Sequence, residues 1–148
     1  MPIDNSSQYL TFSIEESVYA IPIASVREVL ELQPITRLPG SDDSVLGIIN
    51  VRGRSVPVSD VRVLFGLQPR RVSGDNVIIV LETISKSEMK TVGMLTDAVH
   101  EVLEISDSVI EEQPVMGDAA GENFIKGIGK QHDRFIVIVD IDRMFGET

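Results

Sequence analysis

The chain repeats itself. Val45-Leu46-Gly47-Ile48 returns eighty residues later as Ile125-Lys126-Gly127-Ile128, and Arg54-Ser55-Val56-Pro57-Val58-Ser59-Asp60-Val61 returns as Arg134-Phe135-Ile136-Val137-Ile138-Val139-Asp140-Ile141. Leu64-Phe65-Gly66 returns as Met144-Phe145-Gly146, so Gly47, Arg54, Asp60, Phe65 and Gly66 recur identically at one offset. A second echo, at offset seventy-three, relates Val26-Arg27-Glu28-Val29-Leu30-Glu31 to Val99-His100-Glu101-Val102-Leu103-Glu104. Two copies of one small unit predict a two-lobed scaffold with a seam between the lobes.

Strand signals dominate each copy. Tyr9 to Ile14 alternates by two, turns at Glu15-Glu16-Ser17, and continues as Val18 to Ile21, which reads as a hairpin with one buried face. Pro22 ends it, and Ala24-Ser25 reads as a helical turn before a strand from Val26 to Leu32. Pro34, Pro39 and Gly40 mark a loop. Val45 to Val51 and Ser55 to Val58 then flank Arg52-Gly53-Arg54, where glycine supplies the positive φ of a tight hairpin. Ser59 or Asp60 caps a short helix that Gly66 stops.

The second half follows the same plan. Strands are expected over Val77 to Leu81, Val92 to Leu95, Val99 to Ile105, Phe124 to Ile128 and Phe135 to Val139, with an acidic loop over 111–123 and a last helix capped by Asp140. About five strands and one short helix per half cannot bury both faces of a flat sheet, whereas closure into a small barrel removes the edges. The fold class is therefore all-β: two five-stranded barrel lobes, roughly residues 8–73 and 74–148, following a flexible start at 1–7. Each half is near the size at which one core becomes marginal, so the lobes are expected to share an apolar interface, with exchange of a strand between them open.

The composition narrows the chemistry. There is no cysteine, which removes thiolate catalysis, disulfides and cysteine metal sites. The net charge of −10 opposes binding of nucleic acid through its phosphates. Residues 1–73 carry seven basic and eight acidic groups, all the basic ones Arg; residues 74–148 carry six and fifteen. Arginine is enriched at protein interfaces, although surface drift accounts for such an imbalance equally well. The polar start is no signal peptide, and no apolar run approaches the twenty or so residues of a membrane span, so a cytoplasmic location is expected.

No catalytic constellation is legible. His100 falls in a strand and His132 in a turn, without metal-ligand spacing. The nucleophile elbow G-x-S-x-G is absent. Gly129-Lys130-Gln131 mimics the end of a phosphate loop, but Phe124 stands where that motif needs glycine. Asp140-Ile141-Asp142 has the spacing of two calcium ligands and lacks the rest of a calcium loop. No enzyme, metal or cofactor is expected.

What does stand out is Asn50-Val51-Arg52-Gly53, a tight turn with a charged fork at its tip. Together with Tyr9-Leu10-Thr11-Phe12, Tyr19-Ala20-Ile21-Pro22-Ile23, Val26-Arg27-Glu28-Val29, Ile35-Thr36-Arg37-Leu38-Pro39, Gly47-Ile48-Ile49-Asn50, Val56-Pro57-Val58-Ser59-Asp60-Val61-Arg62, Val92-Gly93-Met94-Leu95-Thr96-Asp97-Ala98-Val99 and Phe124-Ile125-Lys126-Gly127-Ile128-Gly129, it resembles the CheW family of bacterial chemotaxis coupling proteins over roughly residues 8–146. The resemblance implies two intertwined SH3-like barrels and no catalysis. It implies an adaptor that joins the cytoplasmic tips of chemoreceptors (methyl-accepting chemotaxis proteins) to the regulatory domain of the histidine kinase CheA. The receptor tip would lie between the lobes, with other surfaces meeting the kinase and the chain itself recruited to membrane receptor arrays.

By the same resemblance Val26, Glu28, Gly47, Asn50, Arg52 and Gly53 fall near the receptor groove, and Gly93 and Val99 at second-half partner positions. Ser55 departs from the aliphatic residue common there; His100 and the 111–123 loop are not family hallmarks. Physical reasoning adds a charge-assisted Glu28–Arg52 pair that fixes the turn at Gly53. For Val26 and Val99 a place in the core, and for Gly47 and Gly93 a backbone requirement, are equally good readings. Arg54, recurring as Arg134, reads as repeat architecture. A coupling protein for pili or second-messenger control is the alternative, and a small-ligand-binding barrel a remote one.

Overall fold

The structure is a computed structural model that describes residues 6–68, 72–111, 124–131 and 133–146. Among the described residues ten strands run in chain order: β1 (Ser6–Ile14), β2 (Ser17–Pro22), β3 (Val26–Glu31), β4 (Val45–Val51), β5 (Arg54–Asp60), β6 (Val77–Ser85), β7 (Glu88–Thr96), β8 (Ala98–Ser106), β9 (Ile125–Gln131) and β10 (Arg134–Val139). Helix α1 (Val61–Leu64) follows β5, and α2 (Ile141–Gly146) follows β10. The helical turn expected at Ala24-Ser25 is a 3-10 turn over Ile23–Ser25. His132 and residues 112–123 of the acidic loop lie outside the described residues.

The strands form two five-stranded sheets, ordered β3-β6-β7-β5-β4 and β8-β1-β2-β10-β9. The orders superimpose, with β6 standing for β1, β7 for β2, β3 for β8 and β4-β5 for β9-β10. Each sheet has one parallel pair, β5 with β7 and β10 with β2. Matched details extend to single hydrogen bonds: Asp60 N–H donates to Ser44 O and Asp140 N–H to Phe124 O, both at 2.7 Å. Barrel closure is matched too. Thr36 bridges Ile48 in one lobe, and Glu111 bridges Ile128 in the other.

Neither lobe is drawn from one half of the sequence, and residue 73 is not the boundary between them. Lobe one holds β3 to β7. Lobe two holds β8 to β10 together with the amino-terminal hairpin β1-β2. The exchange involves a whole hairpin from each half. The sequence echoes cover only β3 to α1 and β8 to α2, so the two exchanged hairpins carried no repeat signal to assign them.

Alternation along the strands fills three cores. In β6, Ile78 and Val80 enter the lobe-one barrel with Ile49, Val56, Val58 and Leu95. The opposite face of β6, Ile79 and Leu81, packs instead against Phe12, Ile14 and Ile21 of lobe two. β10 divides likewise, with Ile136 and Ile138 inside its barrel beside Tyr9, Val18 and Ala20, and Val139 outside it. The seam therefore has a core of its own, to which Met94, Val61, Ile141 and Met144 also contribute. β6, buried on both faces, reads as the unbroken apolar run Val77–Leu81.

Candidate functional site

At one end of lobe one the chain makes a two-residue turn between Val51 and Arg54. Both turn residues have positive φ, 53° at Arg52 and 84° at Gly53, the requirement of a type I′ hairpin. For Gly53 this is free of steric cost; for Arg52 it is not. Two contacts hold the turn. Asn50 Oδ1 accepts a hydrogen bond from Gly53 N–H at 2.8 Å. Arg52 Nε donates to Glu28 Oε2 at 3.1 Å, and Nη2 to Glu28 Oε1 at 3.4 Å.

The Glu28 side chain is 23% exposed and that of Arg52 81%, so the fork stands in solvent on a half-sunken carboxylate. The pairing raises the Arg52 pKa further, which keeps it charged at any working pH. Beside the pair lies a depression of about 180 Å³ with Val51, Val56 and Val80 in its lining and Arg27 and Arg54 on it. Arg27 is ion-paired to Glu82.

The eight residues singled out from sequence therefore separate. Glu28, Asn50, Arg52 and Gly53 converge on this one surface. Val26 and Val99, mates in the seventy-three-residue echo, are each half-buried against the seam core, one on each lobe. Gly47 and Gly93 are buried and answer to packing. A Cβ on Gly47, at φ +151°, would lie 2.2 Å from Thr36 O, at the bridge that closes the barrel. A Cβ on Gly93 would lie 3.0 Å from Val58 Cγ2.

Sequence reasoning missed a second ionic cluster. Arg62, 4% exposed on α1, donates from Nη1 to Glu15 Oε2 at 2.5 Å and from Nη2 to Asp97 Oδ2. Asp97 Oδ2 also accepts from Glu15 N–H at 2.6 Å. Burial pulls the Arg62 pKa down, but the hydrogen bonds to Asp97 and Glu15 outweigh it and the net shift is upward. Asp60 caps α1 through Arg62 N–H at 3.0 Å; burial pushes its carboxyl up, despite the opposing pull of that hydrogen bond and of the Arg62 charge. Nothing local in the sequence links residues 15, 62 and 97, which only the fold brings together.

Apolar side chains are exposed as well. Phe135 is 62% exposed on β10, and Ile84 and Met89 pair across the end of the β6-β7 hairpin. His100, on the open face of β8, bonds only the Ser13 hydroxyl among the described residues. No trio of His, Asp or Glu among the described residues is placed to hold a metal ion. No helix among them is long and apolar enough to cross a membrane.

Paired barrels with a charged turn, a shared seam and exposed apolar side chains define a docking scaffold. A model of the CheW-like domain matches residues 8–148, and the chain belongs to that family of non-catalytic scaffolding adaptors. It is 31% identical to the probable chemotaxis protein CheW of Rhizobium etli over 141 residues, 95% of this chain and 88% of that one. It is also 27% identical to protein PilI of Pseudomonas aeruginosa over 119 residues, 80% of this chain and 65% of that one. Among solved structures, the scaffolding protein TtCheW of Thermoanaerobacter tengcongensis superimposes with a TM-score of 0.82 at 33% identity, covering 96% of this chain and 93% of that one. That likeness identifies the two lobes as SH3-like.

Proposed function

We propose that this chain couples the cytoplasmic tips of chemoreceptors to the regulatory domain of the histidine kinase CheA, acting as one domain at the membrane-associated receptor array. The observation that carries this reading is the Glu28–Arg52 turn, a charged fork held out from a rigid barrel beside an apolar-lined depression. Rigid presentation of an arginine lowers the ordering cost of docking. In this reading Glu28, Asn50, Arg52 and Gly53 face the receptor, Val26 and Val99 flank the groove between lobes, and Gly47 and Gly93 hold the barrel that carries them.

The experiment is binding of the purified chain to a receptor-tip fragment and to the kinase regulatory domain, singly and together. Two simultaneous interactions are expected. Failure to bind either partner, or competition between them for one surface, overturns the reading. The similarity to PilI supports a second reading, in which the same geometry serves a pilus-associated chemosensory system; preferential binding to the receptor and kinase of such a system would select it.

A further inference from the structure

Where β5 ends, β7 ends and the chain enters β6, the structure holds a cavity of about 220 Å³ whose lining includes Asp60, Arg62, Asp75, Asn76 and Asp97. Its walls are fixed by hydrogen bonds. Asn76 Nδ2 donates to Thr96 O at 2.9 Å, and Asn76 Oδ1 accepts from Ser73 N–H at 2.8 Å. Arg62 is the one cation in the lining, and its guanidinium is already divided between Asp97 and Glu15. The charge around the space is therefore negative in excess.

Asp60 supplies the observation that points to a ligand. The residue is 3% exposed. Its Oδ1 accepts from Arg62 N–H, whereas Oδ2 has no hydrogen-bond partner among the described residues. Nor is Oδ2 sealed from solvent, because among the described residues Thr83 Oγ1 alone is both sealed and partnerless. Asp60 thus offers a free carboxylate oxygen to the cavity it lines. Burial holds this carboxyl above the ordinary aspartate range, as befits a carboxylate short of counter-charge.

Capping does not require that burial. Asp140, the mate of Asp60 in the repeat, caps α2 through Arg143 N–H at 3.1 Å with its side chain 32% exposed and Arg143 Nε 3.8 Å from its Oδ2. Lobe one instead keeps a charge in the interior, and a strongly desolvated ionisable group in a cleft marks a functional site. The carboxylates are set too far apart for a bare ion, since no trio among the described residues can hold a metal. A guanidinium spans more space and carries five donors in one plane, so separated acceptors suit it.

We propose that this cavity receives the guanidinium of an arginine presented by a protein partner. Asp60 Oδ2 accepts from it at depth, and the exposed Asp75 meets it at the mouth. The site lies at the opposite end of β5 from the Arg52 turn, so both can be occupied at once. It does not rest on the coupling role proposed above.

The test is a nuclear magnetic resonance titration of the chain with arginine amide, and with citrulline amide as the uncharged control of the same shape. Arginine amide is expected to give saturable shifts confined to the amides around Asp60, Asp75, Asn76 and Asp97, and citrulline amide none. Asp75→Lys, a change on an exposed loop, should abolish them. Asp60→Asn, which keeps the cap, should weaken binding roughly tenfold through loss of a charge-assisted bond. No saturable shift, an equal response to citrulline amide, or full binding by either variant would overturn the site. Arg70 and Arg71 stand just before Ser73 in the sequence, so the titration is repeated on Arg70→Gln with Arg71→Gln. Binding gained only there would mean that the chain fills the cavity itself, and would overturn a site for a partner. Asp75→Lys should also weaken binding of the receptor-tip fragment or of the kinase regulatory domain. If it weakens neither while arginine amide still binds the parent, the ligand is a free guanidinium and the protein-borne source is overturned.

Discussion

Arg52 reaches back to Glu28, twenty-four residues earlier in the chain, and the carboxylate it meets is the less exposed partner by far. The pair thus fastens the tip of the β4-β5 hairpin to β3, the opposite edge of the same sheet, while leaving the guanidinium open to a partner. An exposed pair of this kind adds little to stability, because water screens it and ordering two long side chains opposes it. Its consequence lies in presentation.

Arg52→Ala is therefore expected to leave the melting temperature close to that of the parent and to weaken binding of a receptor-tip fragment. Calorimetry alongside titration separates the two effects. A large drop in Tm with unchanged binding per folded molecule would assign the pair to the fold alone.

Gly47 and Gly53 separate crowding from backbone preference. At Gly53 a Cβ meets nothing within 4 Å, so Gly53→Ala costs only the left-handed conformation, about 1 kcal/mol. At Gly47 the Cβ overlaps Thr36 O, and the chain must also abandon φ +151°. Gly47→Ala is expected to cost roughly 3 kcal/mol or more, since overpacking and backbone strain act together. Urea denaturation of both variants should rank them in that order.

Leu81 is fully buried in the seam, not in either barrel. Leu81→Ala should cost about 2–5 kcal/mol through lost burial and the cavity left behind. Both lobes should still unfold in a single transition, because each depends on a hairpin donated by the other half. Amide signals from β4-β5 and from β9-β10, followed through denaturant, should disappear together. Two separate midpoints would mean that the seam does not unify the fold.

Asp60 gives a pH signature with a definite sign. Its folded pKa lies above the ordinary aspartate value of 3.8, chiefly because burial opposes the charge. The folded state therefore binds the proton more readily than the unfolded chain does, and this group's contribution to stability falls as pH rises from 3.8 through the folded pKa. Asp60→Asn keeps an oxygen to cap α1 and removes the buried charge. It should be more stable than the parent at neutral pH, with the difference fading below pH 3.8. Thermal melts at several pH values check this, and a variant less stable at pH 7 would overturn it.

Much of the local structure was legible because it is written in short range. Alternation gave the β1-β2 hairpin but not its single buried face, since Tyr9, Val18 and Ala20 fill the barrel while Leu10, Phe12 and Ile21 fill the seam; Arg52-Gly53 gave a turn; Asp60 and Asp140 were readable as caps, and both accept from amides of their helices. The Glu28–Arg52 pair was legible because the strand that carries one and the turn that carries the other had to share a small barrel. The glycines were not separable by sequence. Gly47, Gly53 and Gly93 look alike in a string of letters, and only the distances around a Cβ tell a crowded backbone from an open turn.

By itself the sequence determined the elements, the duplication and the absence of the catalytic motifs sought in it, because periodicity, turn chemistry and repeated words are properties of neighbours along the chain. Tertiary structure alone decided which hairpin joins which lobe, since alternation marks a strand's faces without naming its partners. It also decided that Arg62, Glu15 and Asp97 meet, because a charge finds its counterion through space, across forty-seven and thirty-five residues of intervening chain.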